Sequence, residues 1–170
     1  EDWREALDIS EECLEIYRDL GDVRKEVDVL CRQSELYTRL RKHDQAIRAL
    51  HLAQASLEEI GDHQMQARIA GRVAAIHAKL KEHVYAQWAA EEQREHFEAA
   101  GEKRSEAQAM LKVATCMAWR EEFSSAIILA EKACEILAAG ADLEAGAAAL
   151  AAVAELRVRA AESGGRENEH

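Results

Sequence analysis

The sequence predicts an all-α fold, a solenoid of stacked antiparallel helical hairpins, and three observations carry that prediction. The 170-residue chain has no proline and is 48% hydrophobic, with a formal charge of -11, a composition that suits a folded, acidic, helical protein. A Gly-acid mark recurs at a spacing of 40 residues, as YRDLGD (17–22), LEEIGD (57–62) and FEAAGE (97–102). Between the marks the apolar spacing is helical: Val27, Leu30, Tyr37 and Leu40 recur as Ala67, Ala70, His77 and Leu80, and Val29 and Leu36 as Ile69 and Ile76. Those positions cover more than one side of each helix, so the helices are sandwiched. A lone hairpin would leave an apolar face wet, and the rows must therefore stack on their neighbours.

Helices are expected over 2–19, 23–41, 44–60, 63–81, 84–100, 103–120, 123–138 and 142–162. The first forms a partial repeat, 1–21, as the second half of a row whose first half is absent. Full repeats follow at 22–61, 62–101 and 102–140, then a terminal helix at 142–162. Polar stretches such as RLRKHDQ (39–45) and KLKEHVY (79–85) form the hinge inside a row. Gly21, Gly61 and Gly101 close the second helix of each row in the left-handed conformation, and the Asp or Glu that follows favours the next N-terminus. Gly140 falls one residue early, with Asp142 back in register. Two columns of small residues, Ala6, Ala46, Ala86 and Ala126, and Ser34, Ala74 and Ala114, mark close helix crossings. The terminal helix is alanine-rich around its circumference and calls for cover, from another protomer or from a further helix. The tail, 163–170, offers no apolar anchor and is expected to be flexible.

Several functional classes are excluded at this level. The acidic balance argues against nucleic acid as the principal ligand. No apolar run approaches the roughly 20 residues of a membrane helix, and no basic segment precedes an apolar core at the N-terminus, so a cytoplasmic protein is expected. Cys13, Cys31, Cys116 and Cys134 form no C-x-x-C pair and read as reduced core fillers. The seven histidines include no H-E-x-x-H and no zinc-like pair, and His43, His77 and His83 are given structural roles. There is no Gly-rich phosphate loop, no elbow-held serine and no cysteine with a partner base, so neither catalysis nor a cofactor is expected. Trp88 shares a column with Asp8, Arg48 and Ile128 on the convex side, where a neighbouring side chain is expected to cover it, a second partner site being the alternative.

The row pattern resembles the tetratricopeptide repeats, whose signature is a large residue, Leu-Gly and Tyr on the first helix and Ala, Phe and Ala on the second. One row has Leu30, Gln33-Ser34, Tyr37, Ala46, Leu50 and Ala53; the next has Ala70, Val73-Ala74, His77, Ala86, Ala90 and Gln93. The third has Met110, Val113-Ala114, Met117, Ala126, Ala130 and Ala133. Trp3, His43, His83 and Phe123 each precede a column alanine by three. The resemblance spans residues 1–162. The period of 40 rather than about 34, with no proline ending the second helix, is similar to the long-helix variety of kinesin light chains and of spindle-orientation adaptors with Leu-Gly-Asn repeats.

The resemblance implies a right-handed superhelix and a non-enzymatic scaffold whose concave groove, lined by the first helix of each row, takes a partner peptide. That groove would contain Asp28, Arg32, Glu35 and Arg39, then Arg68, Arg72, Ala75 and Lys79, then Gln108, Lys112, Thr115 and Trp119. Six of those twelve are basic and two acidic, a local reversal in an acidic chain. Arg32, Arg72 and Lys112 share one column, suited to holding carboxylates of an acidic segment, with Trp119 as an aromatic anchor. The same side chains also suit a solvated face paired with Asp28 and Glu35. Exposed ion pairs contribute only about 0.2–1 kcal/mol each, so stability alone gives little reason for a ladder. Chaperone-binding members of the family grip a C-terminal Glu-Glu-Val-Asp with a Lys, Asn, Asn, Lys, Arg clamp. The matching positions here hold Cys31, Glu35, Arg72, Gln108 and Lys112, one of them of the wrong charge, and that ligand is not expected. Two further roles fit the same fold: a structural segment of an assembly using convex or end-to-end contacts, homo-oligomeric association included, and the peptide-sensing arm of a regulator.

Overall fold

The structure, a computed structural model, describes residues 3–140 and 143–167, with side chains described as far as Ser163. Among these residues the chain forms eight helices and no strand: α1 (Trp3–Asp19), α2 (Val23–Arg39), α3 (His43–Glu58), α4 (His63–Lys79), α5 (His83–Ala99), α6 (Lys103–Trp119), α7 (Phe123–Ala139) and α8 (Leu143–Glu167). The sequence places every end but one within two residues. The exception is α8, which runs to Glu167 although the sequence places its end at 162 and a flexible tail after it. Each added helical residue gains a backbone hydrogen bond, and without proline the glycines at 164 and 165 each cost only about 1 kcal/mol, which does not force a stop. The remainder of that tail, 168–170, and the expected cap Asp142 lie outside the described residues.

The six chain reversals from α1 to α7 are made by one device. The left-handed conformation recurs at Gly21 (φ 64°), Arg41 (58°), Lys81 (61°), Gly101 (73°) and Glu121 (63°), and again at Gly61 (64°). The spacing is therefore 20 residues, half the sequence period. At most of these turns the amide one residue further on donates back to a carbonyl five residues earlier, as Asp22 does to Tyr17 (3.0 Å), Lys42 to Tyr37 (2.8 Å) and Glu122 to Met117 (3.0 Å). These are Schellman closures, which satisfy carbonyls that the helix end would leave orphaned. The next helix is capped by an aspartate where one is available: Asp22 accepts from the Lys25 amide (3.2 Å) and Asp62 from that of Met65 (3.1 Å).

Each helix packs against the next in the chain, α4 on α5 most extensively and α3 on α4 least. The small-residue columns are buried as the pattern requires: Ser34, Ala74 and Ala114 in one, Ala46, Ala86 and Ala126 in the other. Large side chains fill the space between, with Leu30, Leu50, Leu57, Ile69, Met110 and Leu137 almost fully buried. Burial of each such side chain is worth about 1.5–3 kcal/mol, so the stack rests on many contacts between adjacent rows rather than on one central core. Among the described residues no helix is long and apolar enough to cross a membrane.

Candidate peptide-binding wall

The buried faces of α2, α4 and α6 fix where their polar stripes stand. With Val27, Leu30 and Ser34 turned inward on α2, and Ala67, Ala70 and Ala74 on α4, the intervening Arg32, Arg39, Arg68 and Lys79 are left exposed. A direct contact joins two rows: Arg72 of α4 forms an ion pair with Glu35 of α2, and its second guanidinium nitrogen donates to the Cys31 carbonyl (3.3 Å). The first helices of neighbouring rows thus stand side by side.

The basic residues on this wall differ in how free they are. Arg72 is neutralised by Glu35. Lys112 counts as exposed, yet its ammonium donates to the Gln93 carboxamide (3.0 Å), and burial among neighbouring atoms holds its pKa below the ordinary lysine value. Arg39 lies over the Trp3 ring, 5.4 Å from its centroid. Arg32 borders a depression of about 520 Å³ between α1 and α2, with Ile9, Cys13, Tyr17 and Glu35. A smaller hollow of about 270 Å³ lies between Ser34, Arg39, Arg72 and Ile76. Trp119, at the end of α6, is 38% exposed and tilts against His83 at 4.9 Å between ring centroids. Part of the ring that an anchor would present is thus already used against the α4–α5 hinge.

Cys31 sits beneath this wall, where desolvation raises its thiol pKa although Arg72 works in the opposite direction. The thiol is held as a packing group. No cluster of three His, Cys, Asp or Glu suited to a metal ion occurs among the described residues.

Two features escaped the sequence. Trp88 is 63% exposed rather than covered, because its neighbour Tyr85, itself exposed, meets it edge-on (centroids 5.4 Å) and shields one edge only. Tyr85 in turn stacks on His77, whose Nδ1 lies 2.6 Å from a Glu82 carboxylate oxygen. The tyrosine at i-3 from Trp88 was the available signal, since residues three apart on a helix are neighbours. The second feature is Gln93, a large polar side chain in a column otherwise held by Cys13, Ala53 and Ala133, buried beside Gly71.

No family model and no curated protein matches the chain. Solved structures do. BtubC (BKLC) from P. vanneervenii superposes with a TM-score of 0.66 at 18% identity, over 92% of this chain and 74% of that one. A MamA RS-1 double mutant gives 0.47 at 16% identity over 92% and 96% of the two chains. The nearly identical TPR-like repeats described for a kinesin light chain from Podosopora anserina give 0.35 at 16% identity over 96% and 89%. Only the first likeness is close enough to carry an argument. What it carries is the architecture: this chain is an all-α, TPR-like solenoid of stacked helical hairpins.

Proposed function

We propose that the chain is a protein-interaction scaffold that takes an acidic segment of a partner along the wall formed by α2, α4 and α6. The carrying observation is the concentration of exposed positive charge there, Arg32, Arg39, Arg68 and Lys79 beside Arg72, in a chain of net charge -11. Guanidinium groups hold carboxylates bidentately, and a positive stripe in a negative surround steers an acidic segment toward it. Arg72 supplies the internal precedent, because it already holds one carboxylate, that of Glu35. An incoming acidic side chain would compete with Glu35 for that guanidinium, whereas Arg32 is open to it directly.

Ordering an extended segment consumes much of the gross interaction energy, so the expected affinity is micromolar, about -8 kcal/mol. The test is a titration of peptides of graded acidity at low and high salt, against the wild-type chain and an Arg32→Ala, Arg72→Ala, Lys112→Ala triple variant. Affinity should rise with peptide acidity, fall with salt and fall again in the triple variant. Equal binding of neutral and acidic peptides, unaffected by salt or by the triple substitution, overturns the proposal.

A further inference from the structure

The rows repeat closely enough that each position can be compared with its counterparts 40 residues away. The comparison isolates two seams that interior rows bury and the two ends of the stack leave open. On α1, Ile9 is 54% exposed, whereas its counterparts Ala49 and Ala89 are 5% and 6% exposed and Leu129 is partly buried. Tyr17 is partly buried, as is its counterpart Phe97, whereas Leu57 and Leu137 are buried. Ile9 and Tyr17 line the depression of about 520 Å³ between α1 and α2. On α8 the complementary seam is open: Leu150 is 64% exposed, against 0% for Leu30 and Ala70 and 1% for Met110. Ala147 and Ala154 are likewise exposed, although their counterparts Val27 and Ser34 are buried.

In register, α8 is the first helix of a row and α1 the second. The two open seams are therefore the two halves of one hairpin. We propose that the chain associates head to tail, α8 of one copy seating in the α1–α2 depression of a second copy, so that the stack continues across the junction. This inference does not depend on the acidic-ligand reading.

Charge supports a second copy as the occupant. Inside the stack Arg72 binds Glu35 and the Cys31 carbonyl of the preceding first helix. The same columns at the junction hold Arg32 of the second copy opposite Glu155 and the Ala151 carbonyl of α8. Arg32 and Glu155 are both exposed, and neither makes an ion pair among the described residues. Each is therefore available to the other. One rim position opposes the contact, since Glu144 would face Asp22 of the second copy where Arg24 meets Asp62 inside the stack. Both groups reach solvent, and a repulsion of that kind is small and screened by salt.

A contact between unlike surfaces leaves one seam free at each end, so it builds a series of lengths rather than a closed dimer. Sedimentation velocity across the micromolar range should show the wild-type mass climbing with concentration. Ile9→Arg blocks the α1 seam and Leu150→Arg the α8 seam; both sites are exposed, so folding should be retained, as circular dichroism will confirm. Each variant alone should self-associate roughly tenfold more weakly or worse. Mixed, they still offer one intact α8 seam and one intact α1 seam, and should form a 1:1 complex that grows no further. A wild-type chain monomeric throughout, single variants that associate like the wild type, or a mixture that stays monomeric overturns the proposal and leaves the seams to a different occupant.

Discussion

Gln93 occupies the space that a side chain at Gly71 would need. A β-carbon at position 71 would stand 2.4 Å from the Gln93 Nε2 and 2.8 Å from its Cδ. The glycine of α4 and the glutamine of α5 are thus one packing unit, and the carboxamide oxygen carries that unit on to α6 by accepting from Lys112 at 3.0 Å.

Alanine at position 71 would ordinarily strengthen a helix by about 0.5–1 kcal/mol. Here the carboxamide end of Gln93 must swing aside and give up its bond from Lys112, so Gly71→Ala alone should give no gain in stability. In a Gln93→Ala background the same change should recover that gain, leaving a coupling energy of about 0.5–1 kcal/mol between the two sites. Urea unfolding of the four proteins in the cycle measures it, and additive effects would show that the two residues do not share the space.

The left-handed turns predict opposite signs for opposite substitutions. Gly61→Ala places a β-carbon at φ 64° and should cost about 1–2 kcal/mol. Lys81→Gly removes that strain at φ 61° but loosens the unfolded chain, and should stabilise by about 0.5 kcal/mol. Thermal denaturation of both variants would distinguish a strained turn from one indifferent to its residue.

The caps offer a gain as well as a loss. Asp62 accepts from the Met65 amide, and Asp62→Ala should cost about 1 kcal/mol. Glu102 stands before α6 with nearly the same backbone angles as Asp62 but makes no side-chain cap. Its extra methylene carries the carboxylate past the amide. Glu102→Asp should therefore stabilise by roughly 0.5–1 kcal/mol, read as a shift in the urea midpoint at constant slope.

Burial pushes the Cys116 thiol up to about 11. At pH 8 roughly one molecule in a thousand would then carry the thiolate, the reactive form. Labelling of the native chain with iodoacetamide, followed by peptide mass analysis, should find Cys116 the slowest of the four cysteines. Its rate should rise with urea in step with unfolding, and fast native-state labelling would show that the α6 core opens locally.

The helices and their stacking were legible because the signals are periodic and redundant: a glycine mark, two small-residue columns and an apolar stripe all repeat at one interval. The hinge residues Arg41, Lys81 and Glu121 were not, since their left-handed backbone is imposed by the packed helices on either side and carries no glycine. Arg72 was legible as a member of the basic column, and Glu35 as a possible partner, but the choice between free ladder and ion pair depends on distances across rows. Lys112 illustrates the same limit. Its hold on Gln93 follows from an exchange of small for large side chains between columns, visible only once α4, α5 and α6 are packed. Trp88 defied its expected cover because a helix surface offers lateral contact to a ring, and a lid would require a neighbour from another row.

Three contacts between rows, Arg24 to Asp62, Gln54 to Glu92 and Gln64 to Glu102, each join positions 38 residues apart, and those of Arg72 to Glu35 and to the Cys31 carbonyl likewise link adjacent rows. Among the described residues no hydrogen bond or ion pair between these side chains spans two rows, so tension applied along the stack is borne in series by equivalent links. Pulled in an optical trap, the molecule should yield one row at a time, each event releasing a slack of up to roughly 130–140 Å of extended polypeptide. Such a chain would behave as an extensible tether whose length is graded in units of its own repeat.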